Sequence, residues 1–366
     1  MALDADVVIV GAGLAGAAAA FTLSCHGKVH VIEAEHPAAG ASGAAAGLVN
    51  PFMGRRARPV WRLHEAMNAV SSLLERAGAS DLFPPQGVLR PVVEDDQEVP
   101  FREAAAEHPN LATWWTPKKV RERHPDVSAD RGALFVPRGG AIDVPAMVRA
   151  LLEAAKEQGA TVETDTPAVY WRETPQAAVV EVGRGPDETE ELHADHVLLS
   201  LGQGYPPFPE LRRLGLDGVK GQTVRVRRPD TLSGPLRPLS GRGYVVPDAD
   251  DTLVLGSNYD NNFDNLSPDP DATNYIRKKT ARMVPGVDET EILEVRAGVR
   301  VKHTESNLPL LGPLPGRSRI WTFTGLGSKG LLTAPLLAQS LPDYLHDPTT
   351  IPDVVHPLEA HGTPTK

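Results

Sequence analysis

The first residues whose types and spacing could do chemistry are three glycines near the amino terminus, Gly11, Gly13 and Gly16. In this spacing the first glycine permits a tight turn, the second lets a phosphate approach the backbone, and the third lets a helix pack closely on a sheet. Glu33 lies 22 positions after Gly11, where a carboxylate can accept hydrogen bonds from ribose hydroxyls. The pattern predicts a site for the adenosine half of a dinucleotide. The carboxylate also disfavours a 2′-phosphate, so NADP is not expected.

The elements around these glycines are those that such a site needs. The apolar run 7–10 predicts a strand over 6–10, small residues predict a helix over 17–24 with Gly27 as its stop, and 29–32 predicts a second strand. The amino terminus of the helix then offers N–H groups and a partial positive charge to the phosphates. The order strand, glycine turn, helix, strand, acid is the context that the fingerprint requires, and an ordinary glycine-rich loop is the alternative. The fingerprint alone does not separate FAD from NAD.

A run of small residues over 39–47 follows the ribose-binding acid. Here the chain resembles the D-amino-acid oxidase superfamily of flavoproteins, which includes glycine oxidase and sarcosine oxidase. In that family an Ala-Ser-Gly element with trailing small residues lines the flavin, and Ser42 with the backbone of 44–47 matches it. A flexible Gly/Ala linker is the alternative interpretation.

The resemblance continues in the family's order through 194–202, 219–222, 243–247, 253–257, 297–300, 307–313 and 324–330. Two departures are Lys220, where the family has arginine, and Val301, where it often has proline. The resemblance implies an α/β fold with a discontinuous Rossmann-like FAD-binding domain, over 1–85, 140–220 and 300–366. It also implies an α+β substrate domain with a large mixed or antiparallel sheet, over 86–139 and 221–299.

The resemblance also implies FAD as the cofactor. Some members of the family tether the flavin through a cysteine near the carboxyl end or a histidine after the second strand. Here Cys25 lies in the first helix and no histidine lies between Pro37 and Arg62, so binding is expected to be non-covalent. The residues expected to bind FAD are Gly11, Gly13, Leu14, Ala15, Gly16, Glu33, Ala34, Ser42, Ala45, Ala46, Gly47, Val169, Gly202, Gly325, Gly327, Ser328, Gly330 and Leu331.

Three residues are predicted for the substrate side of the site. Arg300 matches the family arginine that binds a substrate carboxylate, as suits a planar guanidinium; a structural ion pair is the alternative. The hydroxyl of Tyr244 could contact the carboxylate or the amine, or the ring could simply pack. Lys329 could add charge or contact substrate, or be solvated. Arg55 and Arg56 could bind an anionic group, although a structural role for them is favoured.

The family mechanism implies hydride transfer from a carbon that bears a neutral amine to flavin N5, so no side-chain base is assigned. The predicted substrate is a small amine or amino acid, and the acceptor is oxygen in an oxidase or another carrier in a dehydrogenase. An RNA-modifying flavoprotein domain and a redox-sensing or scaffold protein that retains the nucleotide site remain alternatives.

Composition restricts the remaining possibilities. The 366 residues are 41% hydrophobic and carry a net charge of −10, which argues against nucleic acid as a partner. No apolar run is long enough to span a bilayer, no signal peptide is expected, and cytoplasmic residence is the expectation. The single cysteine excludes a cysteine-cluster metal site, and no metal is expected.

Further strands are predicted over 87–93, 134–137, 169–171 and 223–227, and helices over 144–158 and 331–345.

Overall fold

The structure, a computed structural model, describes residues 3–84, 86–248 and 251–357. Its strands are β1 Ala5–Val10, β2 Val29–Ile32, β3 Leu48–Val49, β4 Phe52–Met53, β5 Arg58–Pro59, β6 Val88–Pro91, β7 Thr113–Trp115, β8 Ala133–Val136, β9 Gly140–Ala141, β10 Thr161–Glu163, β11 Ala168–Glu173, β12 Ala178–Gly185, β13 Glu188–Leu199, β14 Leu216–Arg227, β15 Leu239–Gly241, β16 Gly243–Asp248, β17 Thr252–Gly256, β18 Ile292–His303, β19 Leu310–Pro313 and β20 Ile320–Thr324. Its helices are α1 Leu14–Ser24, α2 Leu63–Arg76, α3 Glu98–Glu107, α4 Pro117–Arg123, α5 Val144–Glu157, α6 Pro209–Arg212, α7 Pro270–Thr280, α8 Gly330–Ala338 and α9 Leu341–His346, with short 3₁₀ turns at Ser80–Leu82, Gly202–Gly204, Pro348–Thr350 and Asp353–Val355.

The first sheet has a parallel centre in the order β10-β2-β1-β13-β20. Strand β19 is antiparallel to β20, and the hairpin of β11 and β12 pairs with the first half of β13. Strands β2 and β20 are buried along their whole length, because helices cover one face and the hairpin covers the other. The predicted Rossmann-like α/β fold is confirmed.

The second sheet has eight strands in the order β18-β14-β17-β16-β15-β6-β8-β7. Its neighbours are antiparallel except β15 and β6, which run parallel. Helix α7 packs on one face of it through Ile276, and Asp269 caps that helix by accepting a hydrogen bond from the N–H of Asp271. The opposite face is left to form a wall of the site.

Helix α1 packs closely on the first sheet because it consists almost wholly of small residues. A Cβ at Gly16 would lie 1.9 Å from the backbone oxygen of Gly11, so only glycine permits this approach. The helix begins at Leu14, three residues before the predicted start, because Gly13 is already its cap residue.

The predicted helix over 331–345 is wrong in its continuity. The structure has two helices, α8 and α9, separated at Gln339 and Ser340. Pro342 lies in the first turn of α9, where its missing N–H costs nothing, whereas the same residue inside one long helix would remove a backbone hydrogen bond.

The predicted division into two domains stays a prediction. Strands β14 and β18 pair along almost their full length and pass across the predicted boundaries at 220 and 300.

No helix of the described residues is long and apolar enough to cross a membrane. Those residues also contain no cluster of three or more His, Cys, Asp or Glu side chains that could hold a metal ion.

Candidate active site

A cavity of about 1460 Å³ lies between the carboxyl ends of the parallel strands and the second sheet. Its walls include the turn after β1, the acid after β2, Gly202 shortly after β13 and the loop after β20. Open α/β sheets bind ligands at this edge. Pockets for one small ligand typically measure about 300–1,000 Å³, so this cavity has room for a dinucleotide and a second small molecule.

The glycine turn fits a phosphate-containing ligand. Gly11 has a φ of +107°, and a Cβ there would lie 2.5 Å from the backbone oxygen of Ser200. Gly13 differs, because the nearest atom to its added Cβ would be Ser42 Oγ at 3.5 Å. The protein therefore leaves open space at Gly13, which lines the cavity, and requires glycine at position 11 for its own fold.

The acid after β2 is held in place by backbone N–H groups. Glu33 Oε2 accepts a hydrogen bond of 2.7 Å from the N–H of Ala12, and Oε1 accepts one of 3.1 Å from the N–H of Glu35. Each carboxylate oxygen can accept a second hydrogen bond, so Glu33 can also bind ribose hydroxyls from the cavity wall. Ser42 Oγ accepts from the N–H of Leu14 at 3.1 Å and thereby ties the small-residue loop to the start of α1.

Two helices begin at the cavity, α1 at Leu14 and α8 at Gly330, and neither cap residue supplies a side-chain acceptor. In α1 the N–H of Leu14 donates to Ser42, but the N–H groups that follow it and the positive ends of both helix dipoles suit the phosphates of a dinucleotide and a ring that becomes anionic on reduction. A Cβ at Gly202, in the wall between them, would meet no atom within 4 Å. The donors, the acid and this open space together fit FAD.

The structure brings seventeen of the eighteen predicted cofactor residues and two of the three predicted catalytic residues to the cavity wall. These are Gly11, Gly13, Leu14, Ala15, Glu33, Ala34, Ser42, Ala45, Ala46, Gly47, Val169, Gly202, Gly325, Gly327, Ser328, Gly330, Leu331, Tyr244 and Arg300. Gly16 lies behind the wall, where it packs α1 on the sheet, and Lys329 is also outside it. Lys329 Nζ donates to the backbone oxygen of Asn307 at 3.1 Å.

Arg300 lies half-buried on β18 at the end of the cavity formed by the second sheet. One of its Nη atoms donates to the backbone oxygen of Asn258 at 3.1 Å, and the other lies 3.5 Å from Ser257 Oγ. The guanidinium stacks on the Tyr259 ring, 4.5 Å from its centroid. No carboxylate of the described residues forms an ion pair with Arg300. Its charge is therefore open to an anionic ligand.

Two glycines make room for the predicted substrate-binding side chains, one beside Arg300 and the other beside Tyr244. A Cβ at Gly221 would lie 2.4 Å from its Nη2, and a Cβ at Gly256 would lie about 2.2 Å from the hydroxyl of Tyr244. Burial raises the pKa of Tyr244 to about 12, although the charge of Arg300 and the hydroxyl of Ser257 offset part of this effect. The phenol therefore stays protonated near neutral pH and can donate a hydrogen bond to a ligand.

Lys279, which was not predicted from the sequence, lies on α7 and reaches the cavity wall. Its Nζ donates to the backbone oxygen of Ser257. Burial, and then the charges of Arg242 and Arg300, lower its pKa to about 8. The sequence does contain a signal for this position. Lys279 lies three positions after Ile276 and seven after Ala272, so it falls on the apolar face of an amphipathic helix.

Arg90 was also missed. This guanidinium is 1% exposed, donates to the backbone oxygens of Phe52 and Gly54, and lies 4.8 Å from the Phe101 ring centroid. Burial lowers its pKa to about 10. It holds the strand β4 segment that lines the cavity beside Arg55. Arg55 itself is exposed and paired with Asp96, as the structural interpretation of that residue expects.

Replacing Arg90 by methionine should lower the free energy of unfolding by about 2–4 kcal/mol, because the two carbonyl oxygens lose their donors in a buried site. Urea denaturation of the variant and the wild type measures this change. Arg58→Met is the matched control, because Arg58 is exposed on the neighbouring β5. Equal urea midpoints for the two variants would show that Arg90 does not stabilise the segment from Phe52 to Gly54.

The cavity combines a dinucleotide-binding glycine turn and acid with a guanidinium, that of Arg300, which has no carboxylate partner among the described residues. This combination is typical of a dinucleotide-dependent enzyme. Residues 6–343 match the family described as FAD dependent oxidoreductase, DAO. The chain therefore belongs to this family of FAD-dependent oxidoreductases.

Individual relatives agree with this assignment. The chain is 30% identical over 382 aligned positions to the tRNA 5-methylaminomethyl-2-thiouridine biosynthesis bifunctional protein MnmC of Polaromonas naphthalenivorans, covering 93% of this chain and 57% of that protein. It spans about half the length of such bifunctional relatives. It is 26% identical to the glycine oxidase of Geobacillus kaustophilus, covering 95% of each. The crystal structure of glycine oxidase from Geobacillus kaustophilus superposes with a TM-score of 0.81 over 93% of this chain and 94% of that one, at 22% identity, which supports the fold.

Proposed function

We propose that the chain oxidises the C–N bond of a small amino acid or secondary amine that carries a carboxylate. The single observation that carries this proposal is the guanidinium of Arg300, which faces the cavity opposite the nucleotide cradle without a carboxylate partner among the described residues. An arginine binds a carboxylate through two parallel hydrogen bonds and thereby fixes its orientation. The match to glycine oxidase over the length of both chains supports the same substrate class.

The proposed roles of the other residues follow from their positions. The turn at Gly11 and Gly13, the Glu33 carboxylate and the start of α1 would hold the adenosine diphosphate half of FAD. The loop over 325–331 would hold the flavin ring, with the α8 amino terminus at its pyrimidine side. When bound there, FAD would supply the acceptor for a hydride, that is, one proton and two electrons, from the substrate carbon.

The protein's own part in the reaction is to bind and orient the amine. Arg300 would hold the carboxylate, and the protonated Tyr244 hydroxyl would donate to its second oxygen or orient the amine. The substrate nitrogen reacts as a neutral amine: its lone pair forms the C=N bond as the hydride leaves the carbon. The product of this step is an iminium ion, and addition of water to it releases a protonated amine and a carbonyl compound. No side chain is needed as a base for the C–H bond.

Anaerobic mixing of the FAD-loaded protein with a panel of amines tests the proposal. We expect glycine or an N-alkyl amino acid to bleach the visible flavin absorbance and to yield one carbonyl product per reduced flavin. Subsequent exposure to oxygen distinguishes an oxidase, which reoxidises rapidly, from a dehydrogenase that needs another acceptor. Flavin that dithionite reduces but no amine of the panel reduces would contradict the proposal and favour a redox-sensing or scaffold role.

The similarity to the bifunctional MnmC protein favours a second candidate, oxidation of an amine side chain on a tRNA base. The net charge of −10 argues against it, because a nucleic acid needs a basic surface. Adding undermodified tRNA to the same anaerobic assay separates the two candidates. Flavin reduction by tRNA alone would support this second function, whereas reduction by free amino acids alone would support the first.

A further inference from the structure

Two cations approach the same residue at the substrate end of the cavity. Arg300 reaches Ser257 from β18, with an Nη atom 3.5 Å from its Oγ, and Lys279 reaches it from α7, with Nζ donating to its backbone oxygen. The two side chains come from different elements, Arg300 from edge strand β18 of the second sheet and Lys279 from helix α7, which packs on that sheet. Both residues line the cavity.

The stem of Lys279 passes Gly243, the first residue of β16, on its way to the cavity wall. A Cβ at Gly243 would be 2.9 Å from Cε of Lys279, so a larger residue would obstruct the lysine stem. The lysine is 9% exposed, whereas its neighbour Lys278 is exposed to solvent. A lysine that served only solubility would extend outward from the helix, as Lys278 does.

The charge of this pair is not balanced by the protein. No carboxylate of the described residues forms an ion pair with either Lys279 or Arg300, and the nearby Arg242 is already paired with Glu94 at 3.3 Å. Both cations are instead held by neutral groups, namely the oxygens of Ser257 and Asn258, the Tyr275 ring 4.8 Å from Lys279 Nζ and the Tyr259 ring beside Arg300. Taking an ammonium out of water without an anion is costly, and a ligand that carries negative charge offsets that cost.

We propose that Lys279 is a specificity-determining residue that binds a second anionic group, so that the preferred substrates are amines bearing two carboxylates. The inference rests on the proposed function. Arg300 binds the carboxylate next to the oxidised carbon, and Lys279 binds the carboxylate on the other substituent of the amine. The carboxylate and the lysine would form a charge-assisted hydrogen bond in a site shielded from water.

Binding of two non-oxidisable analogues tests this proposal independently of turnover. Thiodiacetate carries two carboxylates and (methylthio)acetate carries one, and a thioether replaces the amine in both. Titration of the FAD-loaded protein, followed by perturbation of the flavin spectrum, gives each dissociation constant. We expect the wild type to bind thiodiacetate at least tenfold more tightly. The Lys279→Met substitution should weaken the binding of thiodiacetate about 10- to 30-fold and change the dissociation constant of (methylthio)acetate less than threefold.

Lys278→Met is the matched control and should change neither constant. Equal wild-type affinity for the two analogues, or no response to thiodiacetate, would overturn the proposal whether or not the Lys279 variant folds. An equal loss for both analogues in Lys279→Met would also overturn it, because the lysine would then assist the first carboxylate. Failure of the proposed function differs from these outcomes: no amine, with one carboxylate or two, would reduce the flavin.

Discussion

Replacing Arg300 by methionine should lower the second-order rate constant for flavin reduction by an amino acid about a thousandfold, while the protein keeps its FAD. Removing one partner of a desolvated, hydrogen-bonded ion pair typically costs about 2–5 kcal/mol, and 1.4 kcal/mol is a factor of ten. The loss should fall mainly on substrate affinity, because the guanidinium contacts the carboxylate and not the reacting carbon. Anaerobic stopped-flow reduction over a range of substrate concentrations separates affinity from the limiting rate.

Two further variants make this prediction specific to Arg300. Arg300→Lys keeps the charge but loses the planar pair of donors, so its activity should lie between those of the wild type and the methionine variant. Arg296→Met is the matched control, because Arg296 lies on the same strand but is exposed and paired with Glu294. It should leave the rate constant within about threefold of the wild type. Equal effects of the Arg296 and Arg300 substitutions would exclude a role for Arg300 in substrate binding.

The second large effect is expected at the nucleotide cradle. Gly13→Ala should weaken FAD binding about 100-fold, because the added methyl group enters the space that the pyrophosphate needs and such overpacking costs about 1–3 kcal/mol. The apoprotein should keep its stability within about 0.5 kcal/mol, since the methyl group would lie no closer than 3.5 Å to a protein atom and Gly13 has an ordinary backbone conformation. Fluorescence titration with FAD and urea unfolding of the apoprotein measure the two quantities.

Gly11→Ala provides the contrast. A methyl group there would lie 2.5 Å from the backbone oxygen of Ser200, at a φ of +107°, so this variant should lose stability even without FAD. A stable Gly13→Ala apoprotein that binds FAD as tightly as the wild type would place the pyrophosphate elsewhere. An equal loss of stability in both apoprotein variants would show that Gly13, like Gly11, is required by the fold and not by the cofactor.

The features that could be predicted from the sequence depend on short-range patterns. The βαβ unit, the glycine turn and Glu33 lie within the first 33 residues, where apolar periodicity and glycine spacing specify each element. Helix α5 follows from an equally local signal, the amphipathic pattern over 144–158. Arg300 needed the family resemblance in addition, because a lone arginine on a strand has many roles.

The features that could not be predicted depend on pairing between distant segments. Lys279 contacts Ser257 only because α7 packs on β14, β16 and β17, and no local pattern shows where its amine ends. Arg90 supports the segment at Phe52 across 38 positions of sequence. Lys329 lies in the glycine loop, but its Nζ donates to the backbone oxygen of Asn307, and that direction depends on the path of the loop after β18.

The central claim is that an amine substrate delivers a hydride to FAD held in this cavity. Single-turnover anaerobic reduction by an N-alkyl amino acid, with hydrogen or deuterium on the carbon to be oxidised, tests it most directly. The account predicts that flavin absorbance bleaches in one step, that deuterium slows this step several-fold, and that one carbonyl product forms per flavin. Flavin that stays oxidised with every amine, or reduction at a rate that deuterium leaves unchanged with no carbonyl product formed, would contradict it.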